Sequence, residues 1–274
     1  ALSTAPGKAG LAVVRVSGKE SFQVIKRLSG SVPEPRKAVL CKLIYDDEFI
    51  DQAIVICFNE KHSYTGEDMV EFHIHGSSAV LRNLTEVLVA KFGLTAAAPG
   101  EFTRRALENE KMDLLQVEAL SDLINSETKQ QQKQSLRALI GNDSDKTNKW
   151  REKLLSALAY TELMIDFTEE DVPNDTIGEI TNIVSWLSNV LEKELQGYKS
   201  SELIRDGYDI TIIGKPNVGK SSLLNYLAGK EKAIVSEHAG TTRDIIELSI
   251  DLEGYRVNFF DTAGIHKTDN LIEQ

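Results

Sequence analysis

The sequence predicts a multidomain chain: an α+β domain, then an α-helical bundle, then the start of a P-loop α/β domain. Three observations predict it. Up to about Lys111, short runs of alternating apolar and polar residues interleave with helical patterns. From Leu114 the apolar spacing changes to the three-and-four period of amphipathic helices. Near the end, Gly214-Lys215-Pro216-Asn217-Val218-Gly219-Lys220-Ser221 matches G-x-x-x-x-G-K-[ST] between a β-branched run and a helical run. The expected boundaries are 1–113, 114–206 and 207–274.

In the first part, Leu11 to Val16 reads as a strand carrying Arg15, and Val80 to Lys91 as a helix. Val70-Glu71-Phe72-His73-Ile74-His75 alternates, with its apolar residues on one face and Glu71, His73 and His75 on the other. The pair His73 and His75, with His62 and Glu71 nearby, offers imidazoles at a spacing that can share zinc on one strand face, but no third ligand follows at a convincing spacing. Arg104, Arg105 and Lys111 form the densest basic group, readable either as ordinary surface charge or as a local patch for a polyanion.

In the second part, Val117, Leu120 and Ile124 share a helix face, Trp150, Leu154 and Leu158 another, and Ile183, Leu187, Val190 and Leu191 a third. Three long helices packed as a bundle are expected, their leucine and tryptophan stripes forming core. Thr176-x-x-Glu179 is the expected capping box of the third. The polar run Gly141-Asn142-Asp143-Ser144-Asp145 reads as a break between helices.

The third part carries the most specific signal. Ile210-Thr211-Ile212-Ile213 precedes the glycine loop as a strand, and Ser222 to Leu227 follows it as a helix. That arrangement aims backbone N–H groups and a helix N-terminus at phosphate. Lys220 then reaches the β/γ-phosphates of a nucleoside triphosphate, and the Ser221 hydroxyl holds Mg²⁺. Gly240-Thr241-Thr242-Arg243-Asp244 precedes a stretch in which Ile246, Leu248, Ile250 and Leu252 share one face. After a turn at Glu253-Gly254, a strand from Tyr255 to Phe260 leads into Asp261-Thr262-Ala263-Gly264. A threonine loop before one strand and D-x-x-G after the next are the two γ-phosphate-sensing switches of a Ras-like GTPase domain. Ile265 follows Gly264 where many GTPases carry a water-orienting glutamine, so water must be positioned by another side chain and the transition state needs another positive charge.

Composition sets wider bounds. At 274 residues and 41% apolar content, the chain can bury more than one core. No run approaches the roughly twenty apolar residues of a membrane span, and Ala1-Leu2-Ser3-Thr4-Ala5-Pro6 lacks the features of a secretory signal. Cys41 and Cys57 are the two cysteines, too few for a disulfide framework, which suits a reducing compartment. A net charge of −11 excludes broad nucleic-acid binding through an overall basic surface, so a nucleic-acid substrate must be held by a local patch or a partner.

Taken together, these motifs resemble one family across the whole chain: the tRNA-modifying GTPases of the MnmE (TrmE) type. The likeness includes Gly7-x-x-Gly10-x-Ala12-Val13-Val14-Arg15-Val16-Ser17-Gly18 and Ser63-Tyr64-Thr65-Gly66-Glu67-Asp68. It also includes Val70-Glu71-Phe72, His75-Gly76, and Pro99-Gly100-Glu101-Phe102-Thr103-Arg104-Arg105-Ala106 through Lys111-Met112-Asp113-Leu114. The resemblance implies a tetrahydrofolate-binding first domain, with Arg15, Glu71 and Lys111 at the positions of its folate contacts. A glutamate on such a strand face can hydrogen-bond a pterin ring, and Arg15 can pair with a carboxylate. It further implies a GTP site comprising Asn217, Val218, Gly219, Lys220, Ser221, Ser222, Ser236, Glu237, His238, Ala239, Gly240, Thr241, Thr242, Asp261, Thr262, Ala263 and Gly264. Mg²⁺ falls to Ser221 and Thr242, K⁺ in place of an arginine finger to Asn217, Ser236, His238 and Thr241, and the water-orienting catalytic role to Glu273.

By the same resemblance the reaction adds an aminomethyl-type group at carbon five of the tRNA wobble uridine. The one-carbon unit comes from 5-formyltetrahydrofolate or methylene-tetrahydrofolate, and an FAD-dependent partner of the MnmG (GidA) type shares the work. A homodimer, tRNA, no membrane, and a bacterial cytoplasm (or a mitochondrial matrix in a eukaryote) complete the expectation. The chain departs from the family's pattern at Ser77, where a second glycine is usual, at Glu110 in place of glycine, and at His266 in place of arginine. The guanine-reading N-K-x-D loop and the C-terminal helices are expected beyond Gln274. The alternative is a GTP-gated ribosome-assembly switch, which shares the phosphate motifs but has no folate chemistry.

Overall fold

The computed structural model describes residues 1–166, 175–214, 219–230, 232–234 and 248–261. Contacts divide the chain into two compact units, Ala1–Val117 and Glu118–Gln274. The expected α+β, helical and P-loop α/β order is observed.

The first unit is built on an antiparallel sheet of order β1-β4-β3-β2. Its strands are β1 (Ala12–Ser17), β2 (Val39–Tyr45), β3 (Glu48–Phe58) and β4 (Met69–Ile74). Alternation puts Val14, Val16, Val55, Phe72 and Ile74 on one face, where they pack against Val24, Ile25 and Leu28 of α1 (Ser21–Ser29) and Leu84 of α2 (Ser78–Glu86). Burying each such side chain stabilises the fold by roughly 1.5–3 kcal/mol. The same alternation turns Arg15, Ser17, Glu71 and His73 to the other face, and the pairing sets Arg15 opposite Glu71. The helix expected from Val80 to Lys91 starts at Ser78 and closes with a π-turn, Val87–Lys91, followed later by α3 (Glu101–Glu108).

Two positions on the loop after β4 explain the chain's own glycine usage. A Cβ on Gly76 would lie 2.4 Å from the Ala9 carbonyl oxygen, so only glycine lets the two backbones touch. Ser77 instead has an extended backbone and caps α2, its hydroxyl accepting from the Ala79 N–H at 3.3 Å. A second glycine is therefore not required there.

The second unit begins within α4 (Leu114–Ile124), then α5 (Lys129–Leu139), α6 (Asn142–Asp166) and α7 (Thr176–Asp206). A mixed sheet of order β5-β8-β7-β6 follows, from β5 (Tyr208–Ile212), β6 (Lys232–Ile234), β7 (Leu248–Leu252) and β8 (Tyr255–Asp261), with β5 parallel to β8. The helix α8 (Lys220–Lys230) lays Leu224 and Leu227 against Ile212, Ile250, Val257 and Phe259. The turn at Glu253-Gly254, with φ of 50° and 93°, closes the expected hairpin between β7 and β8.

The helical part differs from expectation in three respects. It has four helices among the described residues, because α5 (KQQQKQSLRAL) carries few apolar residues, all in its second half, and is held at its start by a capping box, Thr128 with Gln131. The box expected at Thr176 and Glu179 is not the start of α7: Asp175 occupies the N-cap position, makes no side-chain cap bond, and accepts the Glu179 N–H through its carbonyl. The leucine stripe of α6 is not core, since Leu154 and Leu158 are 50% and 52% exposed, as is Ile124 of α4 at 75%. The buried positions are instead Ala119 of α4, Ala157 of α6 itself and Ile183 of α7. The break between α5 and α6 is narrower than the polar run suggests; Ile140 and Gly141, the latter at φ 91°, make it and α6 starts at Asn142. No helix among the described residues is long and apolar enough to cross a membrane.

Candidate functional site

The polar face of the first sheet holds a chain of partnered side chains. Arg15 Nε donates to Glu71 Oε1 at 2.7 Å, and His73 Nε2 lies 3.3 Å from Glu71 Oε2. The Arg15 guanidinium stands 5.6 Å over the Tyr64 ring, whose hydroxyl shares a 2.8 Å hydrogen bond with Thr103 of α3. Glu71 is nearly buried, with 12% side-chain exposure, against 33% for Arg15. Two of the three expected folate contacts are thus brought together, and they pair with each other. Lys111 is not joined to them by any bond among the described residues; its ammonium donates to the Lys61 carbonyl at 2.8 Å and its stem lies beside Gly66.

A second network borders this face. Ser17 Oγ donates to Glu67 Oε2 at 2.7 Å and lies 2.6 Å from Thr65 Oγ1. Arg105 bridges Glu67 and Glu101. Its bond to Glu101 is the main cause holding the guanidinium above its ordinary pKa, while Glu101 is lowered first by the Ala98 N–H and then by Arg105. This corrects the basic-patch reading. Arg105 is neutralised inside an ion-pair network, and Arg104 lies exposed 3.5 Å from Glu108. The zinc reading also loses its basis: His73 has Glu71, His75 Nδ1 lies 2.8 Å from buried Asp51, and no group of three or more potential ligands occurs among the described residues.

Sequence reasoning missed Asp51, whose carboxylate also accepts the His75 and Gln52 N–H groups. The signal was an acidic residue beside the apolar run of β3, between Ile50 and Ala53. The departure at Glu110 has a structural meaning, because its φ is 55°, in the left-handed region that favours glycine. Replacing Glu110 with glycine is expected to raise stability by up to about 1 kcal/mol, the strain relieved being partly offset by the added freedom of the unfolded chain. A urea melt at constant slope checks it.

Burial pushes the Cys57 thiol up to about 11 and Cys41 in the same direction, so both are inert core thiols rather than nucleophiles.

In the second unit, β5 runs into Gly214, and Gly219, at φ 101°, turns the chain into α8. The Lys220 ammonium donates to the Gly214 carbonyl at 2.9 Å, closing the mouth of the loop, and the Leu223 N–H bonds the Gly219 carbonyl. Ser222 is exposed on the first turn. Ser221 and Asp261 lie in α8 and at the end of β8. Asn217, Val218, Ser236, Glu237, His238, Ala239, Gly240, Thr241, Thr242, Thr262, Ala263, Gly264 and Glu273 lie outside the described residues, as does His266. A strand, a glycine turn and a lysine opening a helix are the arrangement that presents N–H groups and one cation to phosphate oxygens.

Two family models match the chain, "GTP-binding protein TrmE N-terminus" over residues 1–111 and "MnmE helical domain" over residues 114–271. The chain is 48% identical over 275 residues to the tRNA modification GTPase MnmE of Dinoroseobacter shibae and 48% identical over 274 residues to that of Roseobacter denitrificans. A Cereibacter sphaeroides protein of the same name is 46% identical over 273 residues. Each similarity covers 100% of this chain and 64% of the relative, so the chain spans about two thirds, or slightly less, of the length of these proteins.

Proposed function

This chain belongs to the MnmE (TrmE) family, and we propose that it is part of a K⁺-activated GTPase that takes part in modification of the tRNA wobble uridine. One observation supports this reading above the rest: the G-x-x-x-x-G-K-[ST] pattern, set between β5 and α8 with Lys220 bonded to the Gly214 carbonyl, follows in one chain a sheet face bearing Arg15 and Glu71. We assign residues 1–113 to folate binding, 114–206 to a helical domain and 207–274 to the beginning of the GTPase domain.

In the GTPase part, the loop N–H groups and Lys220 hold the β- and γ-phosphates, with Asn217, Val218, Gly219, Ser221 and Ser222 on the loop and Ser236 to Thr242 and Asp261 to Gly264 as the two switches. Ser221 and Thr242 hold Mg²⁺. Asn217, Ser236, His238 and Thr241 hold K⁺, which supplies the positive charge that an arginine finger supplies elsewhere. Glu273 orients the attacking water, the task Ile265 cannot perform.

In the folate part, the donor set fits a reduced pterin with a glutamate tail. Arg15 engages Glu71 through Nε, leaving its terminal nitrogens to face a carboxylate or carbonyl. Glu71 is a nearly buried acceptor suited to ring N–H groups, and Lys111 adds a cation at the edge. The folate, 5-formyl or methylene form, supplies the one-carbon unit when bound. The expected partners are a second copy of the protein, tRNA, and an FAD-dependent protein of the MnmG type, in the bacterial cytoplasm or a mitochondrial matrix.

The direct test is GTP hydrolysis by the full-length protein in KCl and in NaCl at equal ionic strength. Turnover about tenfold or more faster in KCl is expected; equal rates would remove the K⁺ assignment.

A further inference from the structure

The strand that ends at the second switch motif is tied to the helices by polar side chains. On β8, Val257 and Phe259 face the apolar core under α8, while Arg256 and Asn258 alternate to the opposite face. That face of a sheet strand covered by helices is ordinarily apolar. Here Arg256 Nη1 donates to Glu127 Oε2 at 2.7 Å, just before the capping box that starts α5, and Arg256 Nε donates to Asn258 Oδ1 at 3.0 Å. Asn258 is 4% exposed and its amide is bonded from both ends. Its Nδ2 donates to the Asp206 carbonyl at 3.1 Å and to Asp209 Oδ1 at 2.9 Å, and its Oδ1 also accepts from Ser249 Oγ at 2.8 Å.

The backbone follows the same route. The Gln130 N–H, in the first turn of α5, bonds the Gly254 carbonyl in the hairpin at 3.1 Å. At the end of α7, a Cβ on Gly207 would fall 2.9 Å from Asn258 Nδ2 and 3.1 Å from the Arg256 carbonyl, so glycine alone permits this approach. Gln131 closes the ring by donating to the Arg205 carbonyl at 2.8 Å. A polar cavity of about 200 Å³ lies between these groups.

We propose that Arg256 and Asn258 form a coupling pin, through which movement of β8 and its last residue Asp261, on a change of bound nucleotide, is passed to the start of α5 and the end of α7. The inference rests on the GTPase reading above. Apolar contacts are non-directional, whereas a paired polar network centred on the buried Asn258 fixes donor and acceptor geometry and follows the strand that bears it. Asp261 is the last residue of β8, three residues beyond Asn258, so little chain lies between the switch and the pin.

The test is amide hydrogen exchange of the full-length protein bound to GDP and to a non-hydrolysable GTP analogue. In the wild type, exchange over residues 128–135 is expected to differ about fivefold or more between the two states. Arg256→Met and Glu127→Gln, which break the pin from opposite sides, should reduce that difference to under about twofold while nucleotide affinity stays within about threefold. Two results would overturn the pin: a wild type that binds both nucleotides with identical exchange over these residues, or variants that keep the full difference. A wild type that binds neither nucleotide would instead bring down the GTPase reading, and the coupling with it.

Discussion

Lys220→Ala is expected to weaken GTP binding by the full-length protein by roughly thirty- to several-thousand-fold. Removing one member of a desolvated charge pair costs about 2–5 kcal/mol, and each 1.4 kcal/mol is a factor of ten. Lys220 opens α8, and its ammonium already lies at the mouth of the loop, held 2.9 Å from the Gly214 carbonyl. On the proposed reading that ammonium faces the β- and γ-phosphate oxygens, and nothing else at the first turn of α8 can supply its charge. The neighbouring hydroxyls of Ser221 and Ser222 carry no charge. Stability should move far less than affinity, because the lysine is only partly buried. Titration with a fluorescent guanine nucleotide, alongside a thermal melt, separates the two effects. Unchanged affinity would mean that the loop is not a phosphate site.

Glu273→Ala should have the opposite signature. Binding survives, and hydrolysis falls by about 10²–10³-fold, the loss typical when one group that positions or stabilises the reacting centre is removed. The reason lies in Ile265, which occupies the usual position of a water-orienting glutamine and has no polar atom. The proposed substitute is Glu273, eight residues on, at the position where the family resemblance puts the water-orienting carboxylate. Single-turnover rates with saturating GTP check this directly. A variant that hydrolyses normally would shift the role to a different residue, and one that no longer binds would show Glu273 to be structural.

How much of this was legible in the sequence varies with the length scale of the interaction. Strand alternation placed Glu71 and His73 together on one face of β4, because side-chain direction along a strand is a local property, while His75 falls one residue past the end of that strand and pairs with Asp51 instead. What alternation could not give is pairing: Arg15 and Glu71 meet only because β1 and β4 align in one register, 56 residues apart in sequence. The strand and helix that flank the glycine motif, β5 and α8, were readable for the same local reason. The helical part was less legible. α5 depends on a capping box and on long-range bonds such as Gln131 to Arg205 rather than on apolar spacing. Conversely, the periodic leucines of α6 satisfied the pattern for burial while being about half exposed. Periodicity reports which residues share a face, not what covers it. The basic pair Arg104-Arg105 failed for a related reason, since composition cannot show that Arg105 is claimed by Glu67 and Glu101.

The whole account joins a nucleotide switch to a sheet face that holds a reduced folate, and one titration bears on that union most directly. Calorimetric titration of 5-formyltetrahydrofolate into the wild-type chain is expected to show saturable, stoichiometric binding. Arg15→Met, which keeps the aliphatic stem and removes the guanidinium, should weaken it by at least about tenfold. No detectable binding to the wild type, or binding indifferent to Arg15, would contradict the account and leave the chain with a nucleotide switch alone.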